Sequence, residues 1–202
     1  MDVILPYVTN RRVLDVGVVD SRRKVDDSRQ RVRKPDALFQ QISQNNAEVV
    51  GVDLDPEGVE ELNTMGYKVH CGNAEDIVLD RTFDTIVAGE IIEHLDNPGA
   101  FLRNMKSHLD ANGVVIVSTP NPFYCKQSGK IWRKHRPQVH EEHTCWFDPI
   151  TLTELMRRQG LTVVDSCWVQ PRGSWHKTWK QRFRGYFSHS FILVAQTGEP
   201  RH

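Results

Sequence analysis

What most constrains this chain is the alternation of short, branched apolar runs with longer segments of helical pattern. Val13–Val16, Glu48–Val52, Tyr67–His70, Phe83–Ala88, Val114–Ser118, Thr162–Trp168 and Phe191–Ala195 are rich in Val and Ile and too short for buried helices, so they are read as strands. Helices are expected over Asp36–Asn45, Pro56–Met65, Pro98–Leu109 and Pro149–Gln159. Pro56, Pro98 and Pro149 each follow Asp or Asn, the order of an N-cap with proline at the first helical position. Gly113 and Gly160 stand where helices should stop. Strands that alternate with helices build a parallel sheet covered on both faces. The last two strands have no clear helix between them, so one strand near the sheet edge is expected to run antiparallel. The expectation is an α/β, three-layer αβα sandwich with a mostly parallel seven-stranded sheet, one domain over residues 1–202.

Composition excludes several classes. Formal net charge is zero over 202 residues, which gives no global pull toward nucleic acid or membrane. No apolar run is long enough to span a bilayer, and Met1–Asn10 has no long apolar stretch of the secretory kind. Cys71, Cys125, Cys145 and Cys167 are scattered without a CxxC pair and are read as reduced thiols of a cytoplasmic protein. Charge is uneven locally. Arg22–Lys34 carries seven Lys/Arg against two Asp, and Lys126–Arg136 carries five more around Trp132. A solvated face accounts for both segments without any partner.

The strand ends carry the chemistry. Val13-Leu14-Asp15-Val16-Gly17 is an apolar strand running into Asp-x-Gly, where a nucleoside can approach the backbone and only glycine leaves room. Val50-Gly51-Val52-Asp53-Leu54-Asp55-Pro56 puts an acidic residue at the next strand tip, placed to accept ribose hydroxyls. Asp53 is assigned to ribose and Asp55 to helix capping.

The ordered strings LDVG, VGVDLDP, GNAED, FDTIVAGEIIEHL and L-x-x-x-G-VVIVSTPNP resemble the class I methyltransferases that use S-adenosylmethionine, over about residues 13–160. The resemblance implies a Rossmann-like fold, with Asp15 and Gly17 near the methionine moiety and Asp53 on the ribose. It implies Leu54 against adenine, Asn73 and Ala74 at the adenine edge, and Gly89 near the methionine amine. The chain departs from the family at one turn. Where the family has GxGxG, this sequence reads Gly17-Val18-Val19-Asp20-Ser21, so the turn is expected to be reshaped around the inserted basic segment.

Glu90-Ile91-Ile92-Glu93-His94 is the second chemical string. If it starts a helix, Glu90, Glu93 and His94 share one face and suit a divalent ion. It resembles the metal site of small-RNA 2′-O-methyltransferases acting at the 3′ end, and also the ubiquinone-pathway O-methyltransferases. In the RNA enzymes a histidine from a later loop completes the site. His143 is the better match and His140 the runner-up within His140-Glu141-Glu142-His143. The metal set is then Glu90, Glu93, His94 and His143, with Mg²⁺ as the implied ion. The alternative use of His94 and His143 is as a general base, since an imidazole titrates near neutral pH.

The acceptor should lie over Pro120–Phe147 and Gln170–Gly185. The first holds Phe123, Tyr124, Trp132, Trp146 and Phe147. The second holds Trp175, Trp179 and Phe183 among Arg172, Lys177, Lys180, Arg182 and Arg184. Aromatics among basic residues stack on bases, sugars or anionic small molecules. Three functions follow: O-methylation of a small-molecule or glycan hydroxyl, RNA methylation, which the neutral charge counts against, or a non-catalytic S-adenosylmethionine-binding or regulatory protein, which the missing glycines favour. Nothing in the sequence decides the oligomeric state.

Overall fold

The computed structural model describes residues 3–20, 34–46, 48–137, 139–169 and 185–198. The Arg22–Arg33 part of the basic segment lies outside them, as do Trp175, Trp179, Phe183 and the basic residues around them. The elements in chain order are α1 (Leu5–Val8), β1 (Val13–Val16), β2 (Val19–Asp20), β3 (Lys34–Pro35), α2 (Ala37–Asn45), β4 (Val49–Asp53), α3 (Pro56–Thr64), β5 (Val69–Cys71) and β6 (Phe83–Gly89). There follow α4 (Pro98–Ser107), β7 (Leu109–Pro120), α5 (Cys125–Lys134), α6 (Pro149–Arg158), β8 (Leu161–Val169) and β9 (Ser190–Thr197).

Seven strands form one sheet in the order β5-β4-β1-β6-β7-β9-β8. β1, β4, β5, β6 and β7 pair in parallel, and β9 runs antiparallel to both β7 and β8. The period of two along each strand sorts the core into two faces. Leu14, Val16, Ile86, Ala88, Val115 and Val117 pack with Phe101, Leu102 and Met105 of α4 and Leu152 and Met156 of α6. The intervening Val13, Val87, Ile116 and Ile192 pack with Val8 of α1 and Ile42 of α2. Phe39 of α2 and Val59 and Leu62 of α3 close a third cluster on Val18 and Val69. This is the expected αβα sandwich.

The proline-led helices are capped as their sequences require. Asp55 accepts the Gly58 N–H, Asn97 that of Ala100, and Asp148 those of Ile150 and Thr151. α4 stops at Ser107, two residues before the expected end, because Leu109 already pairs with Phe83 at the start of β7. Gly113 therefore lies in the irregular start of a strand and terminates no helix. At the amino end of the sheet, Arg12 grips Asp84 at 2.7 Å and Asp110 at 2.6 Å, tying β1 to β6 and to the start of β7. The carboxyl ends of the parallel strands are thereby left as the edge where loops gather.

Candidate functional site

Four strand tips meet along that edge. Asp15 sits on β1, an interior strand between β4 and β6, and is 3% exposed. Its Oδ2 has no hydrogen-bond partner among the described residues. Burial, and then the nearby Asp36 carboxylate, pushes its carboxyl well above the ordinary carboxylate range. Gly17 follows with φ +81°, a left-handed turn, and a Cβ there would come 3.0 Å from the Ile91 side chain.

The turn after Gly17 is reshaped, as expected from the missing glycines. Val19–Asp20 pairs antiparallel with Lys34–Pro35, and the Asp36 N–H donates to the Val18 carbonyl at 2.9 Å. The two ends of the basic insertion are thus held side by side, and α2 starts directly afterwards. Asp53 braces this turn. One carboxylate oxygen accepts the Val19 N–H at 2.9 Å and the other accepts the Asp55 N–H at 3.0 Å. Val19 in turn lies on α3, where a Cβ on Gly58 would meet it at 2.6 Å. Next to Asp53, Leu54 is an apolar side chain left 64% exposed. Beyond β5, Asn73 Oδ1 accepts the Glu75 N–H, and the buried Ala74 gives its carbonyl to Asn104. Gly89 ends β6.

The Glu90–His94 string does not form the expected helix. Glu90 has φ +53° and the only helical hydrogen bonding is a single 3₁₀ turn over Ile92–His94. The three side chains consequently point to different places. Glu90 stays at the tip of β7, 3.4 Å from the Ser118 hydroxyl that donates to it. Glu93 turns into the protein, is 1% exposed, and accepts from Thr119 Oγ1 at 2.9 Å, while its Oε1 lacks a partner among the described residues. Burial, with the Glu90 charge adding to it, pushes the Glu93 carboxyl up to about 7.

His94 faces the loop before α6. Its ring centroid lies 4.6 Å from that of His143 and 5.9 Å from that of His140. Ligand atoms of His94, His140 and His143 lie within 4.8 Å of one another; among the described residues no such group of three or more includes Glu90 or Glu93. The geometry brings His94 together with both His143 and the runner-up His140, and leaves the two carboxylates outside the group. Burial, and then the neighbouring imidazoles, holds His94 and His143 below the ordinary histidine range, so both rings are neutral at neutral pH.

Two residues to which the sequence assigned no role hold the loops at this edge. Thr144 donates its N–H to the Glu93 carbonyl at 2.8 Å, and its hydroxyl lies 2.7 Å from the Leu95 carbonyl. Asn121 pins the chain beyond β7, donating to the Tyr186 and Ser188 carbonyls and accepting the Phe123 N–H. Phe123, Trp132 and Trp146, from the stretch expected to meet the acceptor, are exposed. Asn121 stands between two prolines, a turn signal; Thr144 gives none.

Residues 32–166 match the family described as Methyltransferase domain. Among curated relatives, the chain is similar to the ubiquinone biosynthesis O-methyltransferase of Bradyrhizobium diazoefficiens, 31% identical over 90 residues, 42% of this chain and 36% of that protein. The protein of the same name from Xanthomonas euvesicatoria pv. vesicatoria is 25% identical over 203 residues, 90% of this chain and 76% of the relative. Several of these relatives match this chain over only about a third of their own length. Among solved structures, magnesium protoporphyrin IX methyltransferase from Synechocystis PCC 6803 with bound SAH superposes with a TM-score of 0.65 at 14% identity, over 97% of this chain and 78% of that one, a likeness of fold. The chain belongs to the methyltransferase domain family, within the class I S-adenosylmethionine-dependent methyltransferases.

Proposed function

We propose that this member of the methyltransferase family binds S-adenosylmethionine at the carboxyl edge of its sheet and methylates a hydroxyl oxygen of a small molecule or glycan. The observation that carries the proposal is Asp15. A buried carboxylate oxygen without a partner among the described residues, near the end of interior strand β1, is costly unless a cation or donor meets it. The ammonium of the cofactor's methionine moiety supplies that partner. The remaining cradle fits the same ligand. Asp53 uses one acceptor direction of each oxygen on backbone N–H groups, and a carboxylate has others for ribose hydroxyls. Leu54 offers an exposed apolar surface to the flat purine, Asn73 and Ala74 lie beyond the neighbouring strand, and Gly17 and Gly89 stand at the ends of β1 and β6, where the methionine part is assigned.

When bound, the cofactor supplies a methyl group on a positively charged sulfur, which leaves as the neutral thioether with the C–S electron pair. The chain's own task is to place the acceptor in line with that methyl group and to take its proton. His94 and His143 are assigned to the acceptor hydroxyl. Each is a neutral imidazole at neutral pH, able to take the proton of an O–H as the new C–O bond forms. The exposed aromatics Phe123, Trp132 and Trp146 suit a flat or sugar-like acceptor. Oxygen as acceptor also agrees with the curated relatives named as O-methyltransferases.

The test is incubation of the full chain with methyl-labelled S-adenosylmethionine and a panel of phenols, catechols, saccharides and short RNAs, with products identified by mass spectrometry. Label in a methyl ether of a phenol or sugar is expected. Label found only in RNA would favour the RNA reading. S-adenosylmethionine binding without transfer to any class would favour the non-catalytic one.

A further inference from the structure

We propose that His94, His140 and His143 form a three-nitrogen site for a borderline divalent metal ion of the Zn²⁺, Co²⁺ or Fe²⁺ kind, without Glu90 or Glu93 as ligands. The three rings come from two loops with no sequence relation. His140 and His143 are brought to the same side by a tight turn, in which the His143 N–H donates to the His140 carbonyl at 3.1 Å. Their ring centroids are 5.6 Å apart. His94 arrives from the 3₁₀ turn after β6, and the Thr144 and Cys145 N–H groups clamp the His143 loop onto the Glu93 carbonyl next to it.

With every pair of ligand atoms within 4.8 Å, ordinary side-chain rotation closes the set. Metal–nitrogen bonds of about 2.0–2.1 Å put tetrahedral ligand atoms roughly 3.4 Å apart. Three imidazoles with a fourth position open make a site for borderline metals. Mg²⁺, which takes hard oxygen ligands, is disfavoured there.

Glu142 provides support behind the ring. Its N–H lies 3.4 Å from His140 Nδ1 and its carboxylate oxygen 3.8 Å from the same atom. With Nε2 on a metal, Nδ1 carries the ring proton, so the contact with the Glu142 N–H has to open and the Glu142 carboxylate has to close from 3.8 Å to accept that proton. This is the usual partner arrangement of a metal-bound histidine. The carboxylates adjacent in sequence are engaged elsewhere, Glu93 with Thr119 and Glu90 with Ser118. The ion's role rests on the methyltransferase reading: beside the acceptor it would lower the pKa of a hydroxyl, with the histidines acting as ligands in place of bases. Metal binding itself does not depend on that reading.

The experiment is a titration of the chelator-stripped full chain with Co²⁺, read by its visible absorption and by displacement with Zn²⁺. One equivalent is expected to bind. His140→Ala and His143→Ala should each weaken binding roughly tenfold or more, Glu93→Gln should leave it unchanged, and millimolar Mg²⁺ should fail to displace it. His140 is exposed, so its truncation leaves the fold intact. No saturable signal, or a signal lost in Glu93→Gln and kept in His140→Ala, overturns the proposal. Calorimetry with S-adenosylmethionine on the same preparations separates the two ideas. A chain that binds the cofactor but no Co²⁺ sinks only the metal site, and one that binds Co²⁺ but no cofactor sinks only the methyltransferase reading.

Discussion

Asp15 and Glu93 are buried carboxyls, each with one oxygen lacking a partner among the described residues, and each destabilises the cofactor-free protein when ionised. Their carboxyl pKa values are raised, so the native state holds a proton that the unfolded chain has already lost. Stability therefore falls as pH rises through that window. For Glu93 the window runs from the ordinary 4.5 to about 7. Denaturant unfolding of the cofactor-free chain at several pH values should show this decline, and Glu93→Gln should flatten it between those limits. A slope unchanged by Glu93→Gln would mean that Glu93 is ionised throughout. Asp15→Asn removes in the same way the cost of burying a titratable carboxyl. Thermal melts at neutral pH should place the variant's Tm above that of the parent chain when no cofactor is present. An unchanged or lower Tm would mean that the Asp15 carboxylate is already compensated.

At the scale of elements, the turns decide the site and were the least legible part of the sequence. The strand tips at Asp15, Asp53 and Gly89 and the proline-led helices could be read because a cap or a strand pattern is local chemistry. The Glu90–His94 segment could not. Its spacing is helical, but the left-handed backbone at Glu90, a non-glycine residue, breaks the helix before it starts and sends Glu93 inward. The closing of the basic insertion by a two-residue ladder was equally hidden, since Val19–Asp20 and Lys34–Pro35 carry no strand pattern of their own. Two substitutions test these turns. Gly17→Ala forces an L side chain to φ +81° and against Ile91, and should cost about 1–2 kcal/mol in chemical denaturation. Thr144→Val removes the hydroxyl that reaches the Glu93 and Leu95 carbonyls. It should cost about 1 kcal/mol and loosen His143 from His94, seen as a larger loss of Co²⁺ affinity than of global stability. Co²⁺ binding that survives Thr144→Val intact would show that the Thr144 hydroxyl is not what positions the histidines.

Over the whole molecule, alternation alone carried the sheet. Residues such as Val13 and Leu14, or Val115 and Ile116, face opposite layers by parity, and two layers of helices follow from that. The reversed β9 was legible because the sequence shows no clear helical pattern between the last two apolar runs. The lengths of β7 and β8 did not follow, because pairing with β9, and of Leu109 with β6, carries them beyond their apolar cores. A site built from four strand tips should couple to the fold as a unit. Cofactor at ~100 times its Kd adds about 2.7 kcal/mol, which for a chain of this size raises Tm by roughly 5–10 °C. The most direct test of the account is titration calorimetry of the full chain with S-adenosylmethionine. The prediction is a single saturable site, weakened roughly tenfold or more when Asp15→Asn removes the charge that meets the ammonium. A folded chain that takes up no cofactor at millimolar concentration, or one whose affinity is indifferent to Asp15→Asn, would contradict it.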